Sequence, residues 1–113
     1  MGDELPALGQ VYKVLPWIFL DGDPKGERPV VVVRPPRFLG DLMTVIERTS
    51  TRLDLEGILH AADPPLELDR QGLWARRFTR KVEESLFRPP NVRLVGILRA
   101  EILNAVIQMW EEW

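Results

Sequence analysis

Arg28 is the residue of this sequence best suited to hold an anion. It precedes Pro29 and a run of four valines at 30–33. So short a β-branched run predicts a strand buried on both faces, and proline suits its first residue because it has a fixed φ and no N–H to donate. Arg28 is therefore expected at a rigid loop-to-strand junction, where its planar guanidinium could hold a phosphate in a fixed orientation. The alternative is an ion pair with Glu27 or another surface carboxylate.

Positive charge is concentrated in three further stretches. They are Arg34 with Arg37, Arg48 with Arg52, and Arg76-Arg77 with Arg80-Lys81. Arginine outnumbers lysine, which mildly favours phosphate recognition. The formal net charge is −2, which argues against a protein that coats nucleic acid non-specifically. Any nucleic-acid surface must therefore be local.

Several chemistries are excluded by composition. The chain has no cysteine, so disulfides, thiolate catalysis and cysteine-ligated zinc are ruled out, and a reducing cytoplasm is the simplest location. His60 is the one histidine, which leaves no second histidine for a metal site or an acid–base pair and favours a structural or surface role. We expect no metal, no cofactor, no signal peptide and no membrane span.

The pattern of the chain predicts one mainly β domain over residues 1–113, with a C-terminal helix. Strands are predicted near 9–15, 29–33, 42–50, 53–60, 73–81 and 92–98, separated by Pro and Gly breaks, with a turn-rich loop over 17–27. The segment 73–81 also fits a helix, because Trp74, Phe78 and Val82 are four residues apart. Short strands in this number favour a small, strongly curved β-barrel.

The last segment is predicted to be an amphipathic helix. Its apolar stripe consists of Ile102, Leu103, Val106, Ile107, Trp110 and Trp113. Such a stripe packs on a sheet. The two tryptophans are interpreted as core residues, with an interaction surface as the alternative.

Three landmarks in chain order resemble the MazF/PemK family of toxin endoribonucleases. They are Gly9-x-Val11-Tyr12-x-Val14, then Gly26-x-Arg28-Pro29 leading into the valines, and Thr49-Ser50 at the end of the next strand. In the looser second half, the segment 72–81 and Val95-Gly96-Ile97-Leu98 with the final helix correspond to the later strands and closing helix of the family. The resemblance covers the whole domain, and Arg28-Pro29 and Thr49-Ser50 are its specific parts.

The resemblance implies a small SH3-like barrel that cleaves single-stranded RNA without a metal, with Arg28 and Thr49 as the catalytic pair. In that reaction the 2′-hydroxyl attacks the adjacent phosphate in line and leaves a 2′,3′-cyclic phosphate and a 5′-hydroxyl. Arg28 would stabilise charge on the phosphoryl oxygens, since arginine is a poor base, and Thr49 would donate a hydrogen bond. The resemblance also implies a homodimer and a cognate antitoxin.

Further residues are implied as RNA contacts. They are Ser50, Arg48, Arg52, Trp17, Arg76, Arg77, Arg80 and Lys81, with Phe19 or Trp74 as other stacking candidates. Packing in the core is the alternative for Trp17 and Trp74, and a solvated strand face is the alternative for the basic residues. Phe78-Thr79-Arg80-Lys81 stands where many family members have Asp-Gln, so the base preference is not assigned.

Two other functions are compatible with the same fold. A gyrase-poisoning toxin of the CcdB type uses a tryptophan-bearing C-terminal helix, for which Trp110 and Trp113 are candidates. A non-catalytic binding barrel is the other possibility. Retention of Arg28 and Thr49 favours the ribonuclease, because a gyrase-binding protein needs no phosphate-holding pair at these positions.

Overall fold

The computed structural model describes residues 5–15 and 27–112. Six antiparallel strands form one sheet, and a helix follows it. The strands are β1 (Gln10–Val14), β2 (Arg28–Arg34), β3 (Leu42–Thr49), β4 (Gly57–His60), β5 (Gly72–Glu83) and β6 (Val92–Ile97), and the helix is α1 (Ala100–Glu111). Short 3₁₀ turns lie at Pro64–Leu66 and Glu84–Leu86. The predicted mainly β class with a C-terminal helix is confirmed.

The strand order is β4-β5-β3-β2-β1-β6, so β4 and β6 are the two edges. The sheet is not closed into a barrel within the described residues, in contrast to the predicted architecture. A physical reason lies in the last two elements. The chain leaves β6 and enters α1, which packs against β4 and β5. The helix thus covers apolar surface near the β4 edge that a closing strand pair would otherwise protect.

Each face of the sheet carries an apolar core, as the valine run predicted. Val31 and Val33 point to one face and Val30 and Val32 to the other, and all four are buried. The first core, which we call the helix face, contains Val11, Val31, Val33, Ile46, Leu66, Leu68, Trp74, Leu98, Val106 and Met109. The second core lies on the opposite face, which we call the cleft face because Arg28 is on it. It contains Tyr12, Val14, Val30, Val32, Met43, Val45, Val82, Phe87 and Val92.

A large irregularity separates the two halves of β5. Ile46 of β3 pairs with Thr79, but Arg48 pairs with Trp74, so the segment 75–78 lies opposite the single residue Glu47. The strand interpretation of 73–81 is confirmed. The helix-like spacing of Trp74 and Val82 has no helical cause, because the two side chains belong to cores on opposite faces.

Some predictions fall outside the described residues. The predicted loop over 17–27 is described only at Glu27, and Trp17, Phe19 and Trp113 are not described. The predicted strand over 53–60 is shorter in the structure and begins at Gly57. In the described parts of the chain no helix has the length and apolar character to cross a membrane.

Candidate functional site

Arg28 and Thr49 lie on one cleft, although they are far apart in the sequence. Val30 of β2 pairs with Glu47 of β3, and continuing this antiparallel register by two residues places Arg28 opposite Thr49. The cleft has a volume of about 170 Å³. It is lined by Glu27, Arg28, Pro29, Arg48, Thr49, Ser50 and Thr51. The structure therefore brings together the two residues predicted to be catalytic.

Arg28 is held by a carboxylate that sequence reasoning did not single out. Its Nη1 donates to Oε1 of Glu47 at 3.2 Å, and Nε of Arg80 donates to Oε2 of the same residue at 2.8 Å. The Glu47 side chain is 1% exposed, against 21% for Arg28 and 29% for Arg80. Arg28 is thus ion-paired, as the alternative interpretation supposed, but this carboxylate is buried.

The three side chains connect three strands on the cleft face. Arg28 is on β2, Glu47 on β3 and Arg80 on β5. The buried carboxylate accepts hydrogen bonds from both guanidinium groups and so fixes the orientation of both. A group fixed before substrate arrives loses no orientational freedom on binding it. The signal in the sequence was a carboxylate next to the apolar residues of β3, but its partners could not be identified without the register.

The Thr49 hydroxyl contacts the turn that follows β3. Its Oγ1 accepts from the backbone N–H groups of Thr51 at 3.3 Å and Arg52 at 3.2 Å, and lies 3.4 Å from Oγ1 of Thr51. A hydroxyl has two lone pairs and one proton. Both lone pairs are directed at the turn that follows β3, so the hydroxyl can act on a substrate only through its proton, for which Oγ1 of Thr51 is the competing acceptor. This geometry suits donation to a phosphoryl oxygen and does not suit general-base chemistry.

Arg48 has a different position from that predicted for an RNA contact. Its Nη2 donates to the carbonyl oxygens of His60 at 2.9 Å, Ala61 at 3.2 Å and Arg70 at 3.0 Å. It is 7% exposed, and its guanidinium carbon lies 5.9 Å from the ring centroid of Trp74. Burial lowers the pKa of Arg48, while the charges of Asp63 and Asp69 oppose this shift. We interpret Arg48 as a structural residue in the wall of the cleft.

Gly72 makes room for this guanidinium. A Cβ at that position would lie 2.5 Å from Nη1 of Arg48 and 2.6 Å from its Cζ. Because the guanidinium is held by three carbonyls, it has little freedom to move aside. Glycine is thus required here by the close approach of a side chain, not by an unusual φ.

His60 extends the network of Arg48 into the interior. Its Nδ1 accepts from Nε of Arg48 at 3.3 Å, and its Nε2 lies 3.1 Å from Oδ2 of Asp63. Guanidinium only donates, so the hydrogen-bond network assigns the proton of neutral His60 to Nε2, which donates to Asp63. The side chain is 5% exposed. Burial lowers the pKa of His60, assisted by the charge of Arg48 and opposed by the bond to Asp63.

Lowering the pH should therefore destabilise the fold through His60. Its pKa is lower in the folded state than the ordinary value of about 6.5, so the unfolded chain takes up the proton first and gains stability relative to the fold. The stabilisation by neutral His60 is complete above about pH 6.5 and is lost as the pH falls through the folded-state pKa. Urea denaturation between about pH 7.5 and 5 measures this loss, above the range in which carboxylates with ordinary pKa values titrate.

The matched variant is His60→Gln, which keeps polar atoms at the site but does not titrate. Its free energy of unfolding should change less with pH in this window than that of the unsubstituted protein. Equal slopes for the two proteins would contradict the assignment.

Among the other predicted RNA contacts, Ser50 lines the cleft and Arg80 shares Glu47 with Arg28. The remaining described ones do not converge on the cleft. Arg52 pairs with Asp54 at 3.1 Å beyond the end of β3, and Arg76 pairs with Glu56 at 3.0 Å. Arg77 is exposed on the irregular part of β5. Trp74 is 0% exposed, which rules out base stacking on its ring and confirms the core alternative.

A second hollow adjoins the cleft and shares Pro29, Arg48 and Ser50 with it. Its volume is about 220 Å³, and its other lining residues are Lys13, Glu67, Leu68, Asp69 and Arg70. Nζ of Lys13 donates to the backbone carbonyl of Glu67 at 2.8 Å. The two hollows give a polar groove longer than a single phosphate requires, with cations and carboxylates on its walls.

The site has no metal-binding arrangement in residues 5–15 and 27–112, where no group of three or more His, Asp or Glu side chains is close enough to hold an ion. No family model and no curated protein matches this sequence.

Proposed function

We propose that this protein is an endoribonuclease of the MazF/PemK toxin type, which cleaves single-stranded RNA without a metal. The observation that carries the proposal is the meeting of Arg28 and Thr49 on one cleft, with Arg28 held by buried Glu47. The proposal includes an SH3-like fold, a homodimer, a cognate antitoxin and a cytoplasmic location. The open antiparallel sheet with its closing helix is compatible with such a fold.

The proposed reaction is an internal transesterification. The 2′-oxygen forms a bond to phosphorus as the bond from phosphorus to the 5′-oxygen breaks. The 2′-hydroxyl loses a proton and the 5′-oxygen gains one, so neither an oxidant nor a metal is needed for balance. Arg28 stabilises the negative charge on the phosphoryl oxygens, and the Thr49 hydroxyl donates to one of them.

Incubation of the purified protein with a long single-stranded RNA in EDTA tests this proposal. We expect fragments with 2′,3′-cyclic phosphate and 5′-hydroxyl ends. Arg28→Ala and Thr49→Val should each lower the cleavage rate by about 10² to 10³, which is typical for loss of one oriented donor. Arg99→Ala removes an exposed cation outside the cleft and is the matched control.

Three outcomes would refute the proposal. The first is intact RNA with folded, antitoxin-free protein. The second is cleavage that persists in both cleft variants, and the third is equal loss of activity in Arg99→Ala.

The gyrase-poisoning alternative gains no support from the helix. Trp110 is partly buried and packs against the core of the helix face, so this side chain has a structural role. Trp113 is outside the described residues. We therefore retain the ribonuclease as the proposed function.

A further inference from the structure

A second group of cations lies at the opposite end of β2 from Arg28 and on the other side of the sheet. Arg34 of β2 pairs with Thr44 of β3, and Thr44 pairs with Lys81 of β5. Directly paired residues share a face, so the two cations flank the threonine on the face that also bears Ile46. A hollow of about 120 Å³, which we call the distal hollow, lies here, lined by Arg34, Arg37, Asp41, Leu42, Thr44 and Lys81.

The charged residues that line the distal hollow are three cations and one carboxylate. Asp41 accepts from Nε of Arg37 at 3.1 Å and from its backbone N–H at 2.9 Å, and these bonds lower the pKa of Asp41, so this carboxylate is ionised and its charge is matched by Arg37. Arg34 and Lys81 are exposed and form no ion pair with another described residue. An anion bound between them would contact the guanidinium of Arg34 and the ammonium of Lys81, beside Thr44.

The size of the distal hollow fits a phosphate group. Its volume of about 120 Å³ is several times the roughly 10–15 Å³ that one ordered water needs. It can therefore take a tetrahedral anion. The long side chains of Arg34 and Lys81 come from strands two positions apart, about 10 Å, and can both reach one group between them.

Exposed apolar side chains border these cations. Phe38 is 58% exposed, Leu39 55% and Leu42 54%. The guanidinium of Arg37 lies 5.8 Å from the Phe38 ring centroid. An exposed aromatic ring beside cations is the arrangement with which proteins bind single-stranded nucleic acid, since the ring stacks on a base and the cations meet the backbone.

We propose that the distal hollow binds a phosphate group of a single-stranded nucleic acid, with Phe38 stacked on a neighbouring base. This contact lies outside the cleft and does not depend on cleavage there. An acidic protein segment would use the cations but would have no planar base to place on Phe38, so the aromatic ring favours nucleic acid.

Binding of a fluorescent 2′-O-methyl oligoribonucleotide, followed by anisotropy, tests the proposal. This probe has no free 2′-hydroxyl and cannot be cleaved by the proposed reaction, so the result is independent of the function assigned to the cleft. Arg34→Ala and Lys81→Ala should each weaken binding about five- to tenfold and reduce the slope of log K against log salt by about 0.7. Phe38→Ala should weaken binding about fivefold or more.

Two controls match these changes. Arg99→Ala removes an exposed cation elsewhere, and Leu59→Ala removes a side chain that is 54% exposed on β4. We expect less than about a twofold effect from either. Unchanged binding in Arg34→Ala and Lys81→Ala, or equal weakening by Arg99→Ala, would overturn the proposal. So would displacement of the probe by polyglutamate more readily than by unlabelled oligonucleotide of equal charge, which would indicate an acidic protein partner.

Discussion

Replacing Glu47 with alanine is expected to lower the free energy of unfolding by about 3 kcal/mol, the lower end of the range for breaking a buried ion pair from one side. The carboxylate is 1% exposed and accepts from Arg28 and Arg80. Without it, both guanidinium groups lose this shared acceptor. Their partial exposure lets water reach them, which is why we expect the lower end of the range.

Urea denaturation of three further variants separates charge from volume. Glu47→Gln keeps the shape of the side chain and should cost less than Glu47→Ala. The double variant Glu47→Ala with Arg80→Ala should recover part of the loss, because it removes one of the two cations that donate to Glu47. Glu83→Ala, at an exposed site on β5, should change stability by less than about 0.5 kcal/mol. If Glu47→Ala behaves like Glu83→Ala, the ion pairs do not stabilise the fold.

The elements that depend on local pattern were predictable from the sequence. The four valines at 30–33 are too short and too β-branched for a helix, and they form the strand buried on both faces. The stripe of α1 was predicted in large part: Val106 is buried as expected, whereas buried Met109 was not included in the predicted stripe. In both segments the hydrophobic period alone determines which side chains face the interior.

The environment of the cleft could not be predicted, because it depends on register between distant strands. The irregularity that sets the segment 75–78 opposite Glu47 also brings Arg80 onto the same carboxylate as Arg28. Nothing in the spacing of Glu47 and Arg80 along the chain indicates this pairing. The burial of Arg48 similarly depends on the absence of a side chain at Gly72, a residue on another strand.

Neighbouring residues of β3 consequently have different functions. Successive side chains of a strand point to opposite faces. Glu47 and Thr49 therefore lie on the side of Arg28, whereas Arg48 turns toward His60 and Trp74. Arg28 and Arg48 both line the cleft, yet the first is partly exposed and the second is buried. Replacing each arginine with lysine can therefore distinguish a catalytic role from a structural one.

Arg28→Lys should abolish most cleavage with little effect on stability, whereas Arg48→Lys should be strongly destabilising. At position 28 an ammonium can still pair with Glu47, so the free energy of unfolding should change by less than about 1 kcal/mol. The ammonium of lysine is a point charge and lacks the planar set of N–H donors of a guanidinium. We therefore expect the cleavage rate per folded molecule to fall by about 10². At position 48 a more strongly hydrated ammonium replaces a guanidinium that bonds three carbonyls, which should cost about 2–4 kcal/mol.

Urea denaturation gives the stability of each variant, and initial rates of RNA cleavage, corrected for the folded fraction, give its activity. Comparison of the two variants in the same buffer removes any general effect of exchanging arginine for lysine. The assignment fails if Arg28→Lys loses as much stability as Arg48→Lys while its corrected cleavage rate is unchanged. In that case Arg28 would be a structural partner of Glu47, and the phosphate-stabilising group would have to be sought among the other cations of the groove, beginning with Lys13 and Arg70.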